Sequence, residues 1–311
     1  MLHRPWLAPV VVAFWCVTTG WLLAAKVLPS LRPGTPPGYQ ALYSAGGRLV
    51  PVAWTVHWNG SPLGWALTDS QHTADGGIDV QNRMRFDRLP LEEILPTWAG
   101  RLVQRSLRQG EATGLESAGR LSIDPQGKLR SFHSTIGLPG SEEQVVLDGR
   151  VADGAVTINV RVGELRYEAT RHLPDQMMLG DELSPQAMMP GLVEGRRWTV
   201  PVYSPLRPGT SPLQILHALV EGEENMYWGN RLVRVHLVTY REDPSSSRDP
   251  RCRLWVDRAG RVLKHESMIL NAKLAFLRRT DDEADVLADT VLRQGDASPS
   301  AAASADTGDR P

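Results

Sequence analysis

Along most of the chain, apolar and polar side chains alternate with a period of two. Val52, Trp54, Val56 and Trp58 occupy alternate positions; Asn59-Gly60 follows, and Leu63, Trp65 and Leu67 resume the alternation. Asn-Gly is the strongest two-residue hairpin signal, because both residues tolerate positive φ. With a two-residue turn there, Trp54 is expected opposite Trp65, Val56 opposite Leu63 and Val52 opposite Leu67. All six would then share one face, so pattern and turn agree.

The same signature recurs. Leu121 to Leu129 and Leu254 to Val262 each read as strand, Asp-x-x-Gly turn, basic residue and strand. The Asp side chain can cap such a turn, and the Gly supplies its positive φ. Ala152-Asp153-Gly154 joins Val145–Val151 to Val156–Val162, and Gly229-Asn230 precedes Leu232–Tyr240. Further strands are expected at 78–86, 164–171, 197–203 and 262–270. This spacing argues for one large antiparallel sheet rather than βαβ units. Helix is scarce. Leu91, Ile94, Leu95, Trp98 and Leu102 follow helical spacing, with Pro96 as a kink, and Pro212 to Glu221 reads as a second short helix.

The N-terminus breaks the pattern. Residues 5–25 carry no charged side chain and lie between Arg4 and Lys26. At ~1.5 Å per residue such a helix can cross a hydrocarbon core of ~30 Å. Trp6 and Trp21 lie toward its two ends, as interfacial aromatics do. A cleaved signal peptide is the competing reading, but Leu23 fits the small-residue pattern at a cleavage site poorly. Residues 1–28 therefore read as a signal-anchor transmembrane helix, with the bulk outside the cytoplasm, in the periplasm against the inner membrane. Residues 29–47, rich in Pro and Gly, read as a semi-rigid linker. Residues 48–294 form the β domain, and 295–311 a disordered tail without large apolar residues.

Composition removes several function classes. The 311 residues carry 34 Lys+Arg against 35 Asp+Glu, a net charge of −1, so a nucleic-acid partner is not expected. Two cysteines, Cys16 and Cys252, cannot form a disulfide framework or a Cys-based zinc module. No nucleophile elbow, phosphate-cradling loop, dinucleotide fingerprint or His-Glu-x-x-His occurs. The eight His are scattered, and a metal site would need His57 to meet His72 or His236 across strands. Cys252 is the one candidate thiol nucleophile: Arg251 and Arg253 could lower its pKa, but no helix follows it. No cofactor or metal is expected.

The positive clue is apolar surface. Ten Trp and eight Met stand beside four Phe. Met177-Met178 and Met188-Met189 flank a Pro/Gly/Asp-rich loop, and Met and Trp are adaptable contact residues. Trp54, Trp58, Trp65, Met177, Met178, Met188 and Met189 are the candidate ligand-binding residues.

The series from Trp54-Thr-Val-His-Trp58-Asn59-Gly60 through the Asp-x-x-Gly hairpins, Gly191-Leu-Val-Glu-Gly195-Arg-Arg-Trp198 and Val256-Asp257-Arg-Ala-Gly260 resembles bacterial envelope proteins with a curved antiparallel sheet. Their layout is similar to the LolA/LolB lipoprotein carriers. The resemblance implies a half-open sheet around an apolar cavity, with short helices as a lid and no catalytic residue. The expected fold is mainly β: a large curved antiparallel sheet, a half-open barrel or β-clam, with one or two short helices, preceded by one transmembrane helix. The expected function is non-catalytic binding of a lipid or lipoprotein acyl chain beside the membrane. The alternative is an envelope scaffold whose sheet edge or Met loop docks onto a protein partner. A hydrolase is the third reading.

Overall fold

The computed structural model describes residues 7–22, 36–39, 42, 50–87, 114–137, 144–172, 178–179, 185–203, 213–269 and 272–296. Helix α1 (Leu7–Leu22) comes first. Fifteen strands follow: β1 (Val52–Trp58), β2 (Ser61–His72), β3 (Ile78–Phe86), β4 (Leu115–Ile123), β5 (Leu129–Gly137), β6 (Gln144–Ala152), β7 (Ala155–Val162), β8 (Leu165–His172), β9 (Met178–Leu179), β10 (Arg197–Tyr203), β11 (Leu213–Trp228), β12 (Arg231–Arg241), β13 (Cys252–Asp257), β14 (Val262–Ile269) and β15 (Ala272–Arg278). Helix α2 (Asp281–Asp296) closes the order.

All strands belong to one open sheet, ordered β8-β7-β6-β5-β4-β3-β2-β1-β15-β14-β13-β12-β11-β10-β9. Fourteen strands are antiparallel neighbours, and the two-residue β9 adds in parallel at one edge. The chain thus meanders outward from β1 to β8 and back inward from β10 to β15. The β1–β15 pair joins the two halves.

The sheet is curved, and its concave face carries two apolar clusters end to end. Trp54, Val56, Met84, Phe86, Trp198, Val220, Leu254 and Phe276 belong to the larger one. Ile78, Val80, Ile123, Phe132, Leu147, Val156 and Ile158 belong to the second, which Tyr39 joins from the Pro/Gly-rich segment. On β3 the even residues supply both clusters, Ile78 and Val80 to one, Met84 and Phe86 to the other, so the face is continuous. Burying an indole such as Trp54, at ~25 cal/mol per Å² over roughly 150–250 Å², contributes about 4–6 kcal/mol.

The expected turns form. Asn59 and Gly60 have φ of 48° and 86°, and Asp153-Gly154 and Gly229-Asn230 also have positive φ. Asp124 and Asp257 both cap their turns: Oδ1 accepts from the Lys128 and Arg261 amides at 2.7 and 2.8 Å.

Two readings are corrected. A bulge shifts the β1–β2 register between Val56 and His57, so Trp54 lies opposite Ala66 and Trp65 opposite Thr55. Trp54 and Trp65 therefore occupy opposite faces, and Leu63 is the unpaired residue. Beside the bulge, Gly64 lets β2 approach β3 closely, because a Cβ there would lie 1.9 Å from the Arg85 carbonyl oxygen. Residues 213–221 of the helix expected from Pro212 to Glu221 are not helical but belong to β11. Leu216, Ala218 and Val220 are buried while Ile215 is exposed. Pairing with both β10 and β12 settles an apolar run that fits either period.

Helix α1 has 16 residues, about 24 Å. Among the described residues no helix is long and apolar enough to cross a membrane. The helix expected around residues 91–102 and the tail beyond 296 lie outside the described residues.

Candidate functional site

The strand registers align one row of residues across seven strands of the concave face. In order these are Trp58, Leu274, Ser267, Cys252, Tyr240, Ala218 and Trp198. His265 lies one step along β14, opposite Leu254 and Phe276. Three polar neighbours, Ser267, Cys252 and Tyr240, thus sit beside a His inside an otherwise apolar face. His265 Nε2 lies 3.2 Å from Cys252 Sγ and 2.9 Å from Ser267 Oγ. Trp198 meets the Tyr240 ring edge-on, with centroids 6.0 Å apart.

Electrostatics hold this cluster neutral. Burial pushes the Cys252 thiol up to about 12, outweighing a hydrogen bond from Ser267 and the charge of Arg251. Burial likewise presses His265 down to about 4. Tyr240 is raised, first by burial and then by the neighbouring thiol. A nucleophilic thiol needs the opposite shifts, a lowered Cys and a protonated His beside it. His265 Nδ1 is buried without a partner, so no carboxylate orients the ring. The flanking arginines that could have activated Cys252 are engaged elsewhere, Arg251 with Glu242 and Arg253 with Asp249. The cluster is built to hold hydrogen bonds, and its environment opposes thiolate formation.

Residues 185–190 form a strap across this face. The Met189 amide donates to the Gly260 carbonyl at 2.7 Å. The Ala187 carbonyl accepts from the Val262 amide and from buried Arg278 at 3.1 and 3.0 Å. Met188 bridges to Arg261. Tyr240 Oη donates to Met189 Sδ at 4.0 Å, so the strap and the polar row touch.

The structure brings four of the candidate residues together. Trp54, Trp58, Met188 and Met189 all pack in or against the larger cluster. Trp65 is on the other face, where it packs with Leu67, Leu287 and Ala288 under α2. Met178 belongs to the backbone of β9, and Met177 lies outside the described residues. The three buried members fill core volume: Trp54 is 0%, Met189 1% and Trp58 8% exposed. A cleft of about 250 Å³ opens on the opposite face, between α2 and strands β2 and β3. Leu67, Asp69, Arg83, Asp285, Asp289 and Val291 line it, so it is polar-rimmed and does not contain the Trp/Met set.

Tyr240, His265 and Ser267 were not singled out from sequence. The signal was present in the Asp257-to-Gly260 turn, since extending that hairpin outward sets Cys252 against the segment containing His265 and Ser267. A docking edge was among the expectations, but the strand that forms it, β8, was not identified from sequence. Every residue of β8 is exposed except half-buried Ala169.

No protein-family pattern matches this chain. No curated protein matches it either. Among solved structures, a beta-barrel-like protein of a domain of unknown function, DUF1849, from Brucella abortus is similar over 74% of this chain and 96% of its own, at 11% identity and a TM-score of 0.43. A DUF1089 family protein from Pseudomonas aeruginosa is similar over 64% and 87%, at 15% identity and a TM-score of 0.32. The large open antiparallel sheet itself rests on the strand pairing described above.

Proposed function

We propose that this is a non-catalytic envelope protein that acts by docking, with the β8 edge of its sheet, unpaired on its outer side among the described residues, as the docking surface. One observation carries the reading: β8 is an eight-residue edge strand, regularly paired with β7 on one side and exposed along its length. Such an edge is a template for strand addition, in which backbone hydrogen bonds give affinity and alternate side chains give specificity. Residues 5–25, uncharged between Arg4 and Lys26, support a tether that holds the domain at the inner membrane on its outer side. A photo-crosslinking side chain at residue 168 in living cells tests the reading. A discrete adduct is expected, and no adduct at residues 166, 168 or 170 would overturn it.

A second reading keeps the lipid or lipoprotein acyl chain as ligand. It is favoured by Trp54 Nε1, His265 Nδ1 and Gln186 Oε1, polar atoms of the concave face and its strap that are buried without partners. Their number on one side of the sheet suits a mainly apolar ligand with a polar head. Native mass spectrometry of the full chain decides it: a stoichiometric lipid supports this reading, and ligand-free, folded protein removes it.

A further inference from the structure

The β8 edge has a chemistry specific enough to name its occupant. A two-residue turn, Gly163-Glu164, joins Val162 to Leu165. In such a hairpin the flanking residues exchange both backbone bonds. The odd residues of β8 therefore bond to β7, and Arg166, Glu168, Thr170 and His172 turn their N–H and C=O groups outward.

The side chains divide the same way. Leu165, Tyr167 and Ala169 lie opposite Val162, Val160 and Ile158 and prolong the second apolar cluster toward the edge. There the apolar row runs out into solvent, with Leu165 76%, Tyr167 60% and Val162 45% exposed. On the other face, Arg166 sits directly across from Arg161. Arg161 pairs with Asp148 at 3.3 Å, and among the described residues Arg166 has no carboxylate partner. A like charge directly opposite is destabilising, so this edge carries an uncompensated cation.

We infer that β8 pairs antiparallel with β8 of a second copy of this chain, about a two-fold axis at Tyr167; the inference rests on the edge-docking reading above. Antiparallel pairing requires outward-bonding residues to face each other, which restricts the register to every second position. Among these registers, the one centred on Tyr167 sets Arg166 against the partner's Glu168, and by symmetry Glu168 against the partner's Arg166. It also sets Tyr167 against the partner's Tyr167 and Leu165 against the partner's Ala169. A register centred on Glu168 would oppose two carboxylates, and one centred on Arg166 two guanidinium groups. The two-fold axis stands perpendicular to the sheet, so concave faces continue on one side and charged faces on the other.

The test uses the full chain in mild detergent, in a Cys16→Ser background so that the half-buried Cys252 is the remaining native thiol. Tyr167→Cys places two thiols on the axis and is expected to give a disulfide-linked dimer under mild oxidation. Glu168→Arg alone should weaken dimerisation in analytical ultracentrifugation about tenfold or more, because two attractive pairs become repulsive. The swap Arg166→Glu with Glu168→Arg should restore it, which also shows that the variants fold. A monomer at all concentrations, a Glu168→Arg variant that dimerises normally, or cross-linking through residue 168 instead of 167 overturns the assignment. A photo-adduct at residue 168 with a different protein also overturns it, but leaves edge docking standing. Absence of any adduct overturns both.

Discussion

His265 makes acid stability a direct probe of the concave face. Its ring lies between Phe276, with centroids 5.6 Å apart, and the hydroxyl and thiol of Ser267 and Cys252. Burial lowers its pKa from 6.5 to about 4. In the unfolded chain the imidazole takes up a proton below about pH 6.5, whereas the folded chain refuses it until about pH 4. The stabilisation from keeping this ring neutral is therefore complete above 6.5 and is lost as pH falls through that window. By linkage the loss is about 2 kcal/mol at pH 5 and approaches about 3 kcal/mol near pH 4. Urea unfolding of the full chain in mild detergent, followed by Trp fluorescence at pH 7, 6 and 5, measures it. His265→Gln should be less stable at pH 7 but should lose about 2 kcal/mol less than wild type between pH 7 and 5. Equal acid slopes for both proteins would refute a buried, neutral His265. Cys252 gives a mirror arm. Its pKa is raised to about 12, so its contribution is present below about pH 9 and is lost as pH rises toward 12. Its thiol should stay unreactive to a thiol reagent until the protein unfolds.

Two further perturbations probe the second cluster and the α2 side. A Cβ on Gly149 would lie 2.1 Å from the Phe132 ring that covers it, so Gly149→Ala should cost about 1–3 kcal/mol by overpacking; in the Phe132→Leu background much of that penalty should vanish, and additive losses in urea midpoints would contradict the contact. Thr280 caps α2, with Glu283 Oε2 accepting from both its amide and its hydroxyl at 2.9 Å. Thr280→Ala should cost about 1 kcal/mol and speed hydrogen exchange in α2; unchanged exchange would show that packing on Ala53 and Leu67 alone holds the helix.

Local chemistry was legible in the sequence where one residue type dominates a conformation. Asn59-Gly60, Asp153-Gly154 and the two capped Asp turns formed where expected, because positive φ and side-chain capping are properties of a few residues. What escaped was set by neighbours far along the chain. The bulge between Val56 and His57 drops Leu63 from the pairing, and it moved Trp65 to the other face. The apolar positions of 213–220 suit a helix as well as a strand, and β10 and β12 decide between them. Helix α2 was readable but missed: Thr280-x-x-Glu283 is a capping box, followed by Ala284, Leu287, Ala288 and Val291 at helical spacing. Its acidic first turn, Asp281 to Glu283, suits the positive end of the helix dipole. That β8 stands at an edge of the sheet, with no second strand beside it among the described residues, follows from the strand order, which no local pattern encodes.

The pairing of β1 with β15 also has a kinetic meaning. Each half of the sheet pairs strands that follow one another along the chain, so each can grow by closures far shorter than the joint between the halves as the chain emerges. The joint between them brings together residues such as Thr55 and Arg279, 224 positions apart. Contacts of that separation must await almost the whole chain, and closing so long a loop is entropically expensive. Until then β1 exposes Trp54 and Val56 along an unpaired edge beside the N-terminal segment. The protein is therefore most vulnerable to strand-mediated aggregation in the interval before β15 arrives. Lesions that delay or truncate the last strands should harm its biogenesis more than lesions of equal equilibrium cost in the β4–β7 meander.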